Sequence, residues 1–187
     1  FNVLADGADL SLTKQKTPTL VTVWPGTGSD TDSRMTSTIR VSNNGPRAAI
    51  GGVQVVDVLA LGEEYLSGGN ANWSCSVAPA AWSAAVQQVV TCDLAASLYP
   101  LGVGTTAPNL TIVTRARASG ALTNQACTGG SGGSVQPQTG GVVNEDRNPG
   151  NNCASGNNRT TEDRVDLQIE KWTNGTAKAT AGAESVL

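Results

Sequence analysis

Apolar residues recur at every second position along this chain, in short stretches, and no segment carries a sustained 3.6-residue apolar period. Ala8-Asp9-Leu10-Ser11-Leu12-Thr13-Lys14 alternates as a half-buried strand should. Residues 35–41 alternate again and stop at Asn43-Asn44-Gly45-Pro46, which is dense turn chemistry. Residues 53–59 are a β-branched run suited to a more fully buried strand, and 73–77 with 86–94 read as two arms of a hairpin with a long connection. Residues 110–117 alternate once more, and 121–127 follow after Gly120. About seven short strands, punctuated by turns and with no helices between, predict an all-β antiparallel β-sandwich. Residues 128–158 read instead as a long Gly/Asn-rich surface loop, opening on Gly129-Gly130-Ser131-Gly132-Gly133-Ser134.

The four cysteines bear on compartment. None sits in a C-x-x-C pair, so zinc and thioredoxin-like chemistry are disfavoured. An even number in a chain rich in Ser, Thr, Asn and Gly predicts disulfides and an extracellular location. Cys75 and Cys92 fall at matching positions of the two hairpin arms, and Cys127 and Cys153 bracket the long loop, so the expected pairs are Cys75–Cys92 and Cys127–Cys153. Histidine is absent, which removes the commonest general base and metal ligand. A net charge of −3 leaves no basic footprint for nucleic acid, and no apolar run is long enough to insert in a membrane. Phe1-Asn2-Val3-Leu4 lacks the basic start and apolar run of a secretory leader, so the expectation is a chain that begins after processing or within a longer protein.

An internal echo sets the domain expectation. The opening strand at residues 8–14 reappears as Val165-Asp166-Leu167-Gln168-Ile169-Glu170-Lys171. The chain therefore divides into a linker at 1–7, one repeat at 8–164, and at 165–187 the opening strand segment of a following repeat or a strand donated to a neighbouring subunit. The apolar face of that second copy, Leu167 and Ile169, has no body of its own to cover it, so it predicts an assembly strand with head-to-tail contacts. The expected partners are copies of the same chain or adjacent repeats.

Six motifs in order resemble the DUF11 family of bacterial surface repeat domains. Its A-D-L-x-ϕ-x-K opening (ϕ apolar) is matched by residues 8–14, and V-x-N-N-G-P by Val41-Ser42-Asn43-Asn44-Gly45-Pro46. V-x-V-x-D-x-L is matched by residues 53–59, and W-x-C with V-x-C-x-L by Trp73-Ser74-Cys75 and Val90-Thr91-Cys92-Asp93-Leu94. Asn124-Gln125-Ala126 and Asn148-Pro149-Gly150-Asn151-Asn152 match the closing strand and turn. The closing strand departs from the family's N-T-A-T-V, and the loop after it is longer than usual. The resemblance implies an Ig-like fold, a surface location and tandem arrays in adhesins, sheaths or appendages, with no established enzymatic activity.

Three constellations carry chemistry. Lys14, Asp57 and Asn124 on neighbouring core strands are the set an intramolecular isopeptide bond requires; alternatively Lys14 snorkels to the surface and Asp57 satisfies turn amides. Asp6 and Asp9 before the repeat, Glu162, Asp163 and Asp166 after it, and Asn144 with Asp146 in the loop offer oxygen ligands for calcium at the repeat junctions; alternatively they form a solvated acidic linker with Arg147 and Arg164. Trp24, Trp73, Trp82 and Trp172 offer a glycan-stacking face, although Trp73 beside Cys75 suits the core. No hydrolase or nucleotide-binding motif stands out, so the expected role is structural, and no cofactor beyond calcium is called for. The alternative is an adhesin domain that holds a glycan or host protein through the loop at 128–158.

Overall fold

A computed structural model describes residues 7–50, 52–129, 146, 148–161, 169–172 and 178–181. Twelve strands are found among them: β1 (Leu10–Thr17), β2 (Leu20–Thr22), β3 (Arg34–Asn43), β4 (Gln54–Val58), β5 (Glu63–Gly68), β6 (Trp73–Ala78), β7 (Val89–Leu94), β8 (Leu110–Ala116), β9 (Ala121–Gly129), β10 (Cys153–Thr161), β11 (Ile169–Trp172) and β12 (Lys178–Ala181). The first ten form an Ig-like β-sandwich. One sheet has the order β1-β3-β8-β5 and the other β2-β10-β9-β4-β7-β6. Pairing within the sandwich is antiparallel except where β10 runs parallel to β2, with Arg159 beside Leu20.

All seven expected strands are present, and β2, β5 and β10 join them. The long-loop reading is corrected at both ends, because β9 continues to Gly129 and β10 begins at Cys153. β10 opens Cys-Ala-Ser-Gly-Asn-Asn, with no apolar alternation to announce a strand. Its extended form comes from its ladder with β9, in which Cys153 faces Cys127 and Gly156 faces Asn124. Residues 130–145 of the expected loop lie outside the described residues.

Period-two burial is clearest in β3 and β8, where Met35, Ile39 and Val41, and Leu110 and Ile112, are fully buried at alternate positions. Ile39, Val41, Leu110 and Ile112, with Leu10, Leu12, Val53, Val55, Leu59, Trp73, Val90 and Leu94, fill the space between the sheets. A smaller cluster of Val21, Met35, Ala116 and Leu122 closes one end. Both predicted disulfides are present, each joining residues directly opposite in an antiparallel ladder: Cys75–Cys92 across β6 and β7, Cys127–Cys153 across β9 and β10.

The strand that echoes β1 stands apart in topology. β11 pairs with β12, Ile169 opposite Ala181, in a two-stranded sheet separate from both sheets of the sandwich. Leu167 lies outside the described residues.

The Asn43-Asn44-Gly45-Pro46 turn has a specific task. Asn43 is buried, and its side-chain oxygen accepts from the backbone N–H of Asp9 and Gly45 while its amide nitrogen donates to the carbonyls of Arg47 and Leu101. Gly45 packs so tightly on the backbone before β1 that an added Cβ would lie 2.2 Å from the Asp9 nitrogen. The motif therefore seats the start of β1 on the end of β3. Asn43→Ala should cost about 3 kcal/mol, because it strands several buried backbone groups at ~1–3 kcal/mol each; Gly45→Ala should destabilise through displacement of the backbone at Asp9. Urea denaturation midpoints of both variants check this, and a pair of unchanged midpoints would contradict it.

Candidate functional site

β1 begins as an ordinary amphipathic strand. Leu10 and Leu12 enter the core, and the next two inward positions on the same face are Lys14 and Lys16. The other strands make room for them at the same depth. Ser37 sits between Ile39 and Met35 on β3, Thr114 between Ile112 and Ala116 on β8, and Asn124 between Ala126 and Leu122 on β9, each buried. Asp57 takes the inward position after Val55 on β4 and is wholly buried. A polar layer thus crosses the sandwich between its main apolar core and the smaller end cluster.

Two ion pairs occupy this layer. Lys14 Nζ donates to both carboxylate oxygens of Asp57 at 2.7 Å, and both side chains are completely shielded from solvent. The backbone of Lys14 lies on an edge strand, so the side chain dives inward rather than snorkelling out. Asn124 Nδ2 points at the same carboxylate, 3.2 Å from Oδ1 and 3.4 Å from Oδ2. Two residues along β1, Lys16 Nζ lies 2.6 Å from Glu63 Oε1, and that oxygen also accepts from Thr114 Oγ1 at 2.7 Å. Glu63 Oε2 accepts from the Ala60 N–H.

The structure thus brings Lys14, Asp57 and Asn124 into one contact group. Asp57 and Asn124 come from adjacent strands of one sheet, β4 and β9, and Lys14 comes from the facing sheet. Burial drives both charged partners toward neutrality. Desolvation pushes the Lys14 ammonium below its ordinary range and the Asp57 carboxyl above its own, against their mutual attraction. Neutral amine with neutral acid is reached from the ion pair by moving one proton across a 2.7 Å contact. The arrangement holds an amine, a carboxyl and a carboxamide in mutual contact out of water.

Lys16 and Glu63 escape a reading of the sequence. Lys16 follows Lys14 by two and so shares its face, a signal that the alternation of β1 carries. Glu63 lies on β5, which has no strand pattern of its own and is ordered by pairing with β8. Removing one member of a buried pair leaves the other charge unpaired, which costs about 3–5 kcal/mol, whereas replacing both with apolar groups is close to neutral. Glu63→Gln should therefore destabilise strongly, and adding Lys16→Met should recover most of the loss. A double-mutant cycle by chemical denaturation measures it; simple additivity would show that the two do not act as a pair.

The remaining candidates are placed as follows. Asp9 and Asp146 are hydrogen-bonded to protein groups: Asn151 Nδ2 donates to Asp9, and the Leu10 N–H and Asn152 Nδ2 donate to Asp146. No group of three metal-binding side chains occurs among the described residues. Asp6, Asn144, Glu162, Asp163 and Asp166 lie outside the described residues, as does most of the loop proposed to bind a glycan or protein. Trp73 is buried and donates to the Pro108 carbonyl. Trp24 carries the guanidinium of Arg115 at 3.6 Å from its ring centre, and Arg117 lies over both Trp24 and Trp82. These rings make a cation–π stack with arginine instead of an open aromatic platform.

No family model matches the sequence, and no curated protein matches it. Among solved structures, the chain is similar to the CARDB domain of a Pyrococcus furiosus protein at 14% identity, covering 86% of this chain and 95% of that one with a TM-score of 0.44. It is similar to a cohesin module from a Clostridium perfringens family 33 glycoside hydrolase at 7% identity, covering 84% and 99% with a TM-score of 0.48. A third likeness is to domains D2 and D3 of the major pilin SpaD from Corynebacterium diphtheriae, at 12% identity over 81% of this chain and 50% of that one, with a TM-score of 0.40.

Proposed function

We propose that the chain is a structural repeat module of an extracellular bacterial surface protein or filament, and that it assembles head to tail. The observation that carries this reading is the position of the β1 echo. A complete sandwich already contains its own opening strand, paired along its whole length with β3 from Leu10 opposite Asn43 to Thr17 opposite Thr36. The second copy contributes β11 to a separate sheet. A two-stranded ribbon is marginal alone in water and gains stability when a larger sheet accepts it. The acceptor on this reading is the next module, either continuous with this chain or belonging to another copy, and such a contact propagates instead of closing. Two cross-strand disulfides support an oxidising location outside the cell. The DUF11-like motifs support the same role, and the Asn43 turn explains one of them physically.

The reading predicts filaments or linear oligomers of the full chain under oxidising conditions, visible by negative-stain electron microscopy. Leu167→Asp combined with Ile169→Asp should disperse them to single particles while leaving the circular dichroism and melting of the sandwich unchanged. A full chain that stays monomeric over a wide concentration range, with or without these changes, would defeat the assembly reading.

A further inference from the structure

We propose that Lys14 and Asn124 become joined by an intramolecular amide bond, formed by the chain itself with Asp57 as the proton relay. The reacting groups are those set out above, and their placement is the argument. One carboxylate oxygen, Asp57 Oδ1, is 2.7 Å from Lys14 Nζ and 3.2 Å from Asn124 Nδ2. Asn124 Oδ1 is buried without a hydrogen-bond partner. Turning the amide by half a turn exchanges its oxygen and nitrogen, and brings that orphan oxygen onto Asp57, where a protonated carboxyl donates to it. The backbone of Gly156, opposite Asn124 on β10, closes the third side: a Cβ there would lie 3.2 Å from Lys14 Cε and 3.3 Å from Asn124 Oδ1.

The reaction balances without any added reagent. The Lys14 ammonium gives one proton to the Asp57 carboxylate, leaving a neutral amine and a neutral acid. The amine nitrogen attacks Cγ of Asn124 while the Asp57 proton stabilises the carboxamide oxygen. The tetrahedral centre then collapses: the Cγ–Nδ2 bond breaks, Asp57 passes a proton from the attacking nitrogen to the departing one, and ammonia leaves. A carboxamide and a primary amine become a secondary amide and ammonia, with no net oxidation. Burial promotes the first step, since it favours the uncharged forms of both partners.

The structure also selects between the two buried lysines. Lys16 is engaged by Glu63, whose oxygen is shared with Thr114, whereas the Asp57 carboxylate is the one on which both an amine and a carboxamide converge. Lys14 is therefore the nucleophile and Lys16 is not.

Mass spectrometry of the full chain decides the matter. With disulfides reduced, the intact wild-type mass should be lower than the sequence mass by one ammonia, and proteolysis should release a branched peptide joining the Lys14 and Asn124 segments. Lys14→Arg, Asn124→Ala and Asp57→Ala should each restore the full mass and lose the branch, while Lys16→Arg should keep both. The wild-type chain alone suffices if a variant does not fold. A full-mass wild type, an ammonia loss with no branched peptide, as a cyclised asparagine would give, or a branch through Lys16 overturns the proposal. The result is independent of assembly, because a chain that stays monomeric still carries or lacks the branch.

Discussion

Two lysines and two carboxylates inside a small sandwich are the constraint to which the rest of the fold answers. Each buried charge is unfavourable by several kcal/mol unless its partner meets it at hydrogen-bonding distance. Lys14 must therefore reach Asp57 from the opposite sheet, and Lys16 must reach Glu63 past the small side chains of β3 and β8. Purely aliphatic layers would tolerate a slip of β1 by two residues against β3, since one aliphatic side chain would still meet another. The ion pairs would not, because such a slip carries each ammonium out of reach of its carboxylate. The polar layer thus fixes register across the sandwich, a task that valine and leucine perform only loosely.

The opening of β1 is held with similar care. Asn43 binds the Asp9 backbone, and Asp146 accepts from the Leu10 N–H. Asn151 reaches Asp9, and β10 packs Gly156 against both Lys14 and Lys16. Residues distant in the chain therefore converge on one edge strand. This gives the Asn-rich turn after residue 146 a structural reason: Asn152 holds the Asp146 carboxylate that receives the Leu10 N–H, and Asn151 ties the turn to Asp9 just before the strand.

Much of this was legible in the residues, for identifiable reasons. Alternation exposed β3 and β8 because each buries one face and wets the other. Matching positions on hairpin arms gave Cys75–Cys92, and loop closure gave Cys127–Cys153. Lys14, Asp57 and Asn124 stood out as a set, because an amine, a carboxyl and a carboxamide on neighbouring strands are what an isopeptide bond requires. What stayed hidden depends on partners remote in sequence. β5 and β10 lack apolar periodicity and are extended by their neighbours, so Glu63 had no strand to be read on. The polar layer as a whole was invisible, since Ser37 and Thr114 are unremarkable until both are seen at the same depth as Lys16.

The position of Cys127–Cys153 has a mechanical consequence. In a string of such modules under tension, load enters the sandwich along β1 and leaves along β10. The disulfide ties β10 to β9 three residues beyond Asn124, and Asn124 meets Lys14 of β1 at the shared carboxylate. The shortest route for the load therefore runs from β1 through the Lys14 contact to Asn124 of β9, across the β9–β10 ladder at Gly156 and out along β10, with the disulfide clamping the far end of that ladder. β3, β8 and the hydrophobic centre of the domain lie off that line. A pull on such a string would be borne by a strip at one flank while most of the core stays unstressed.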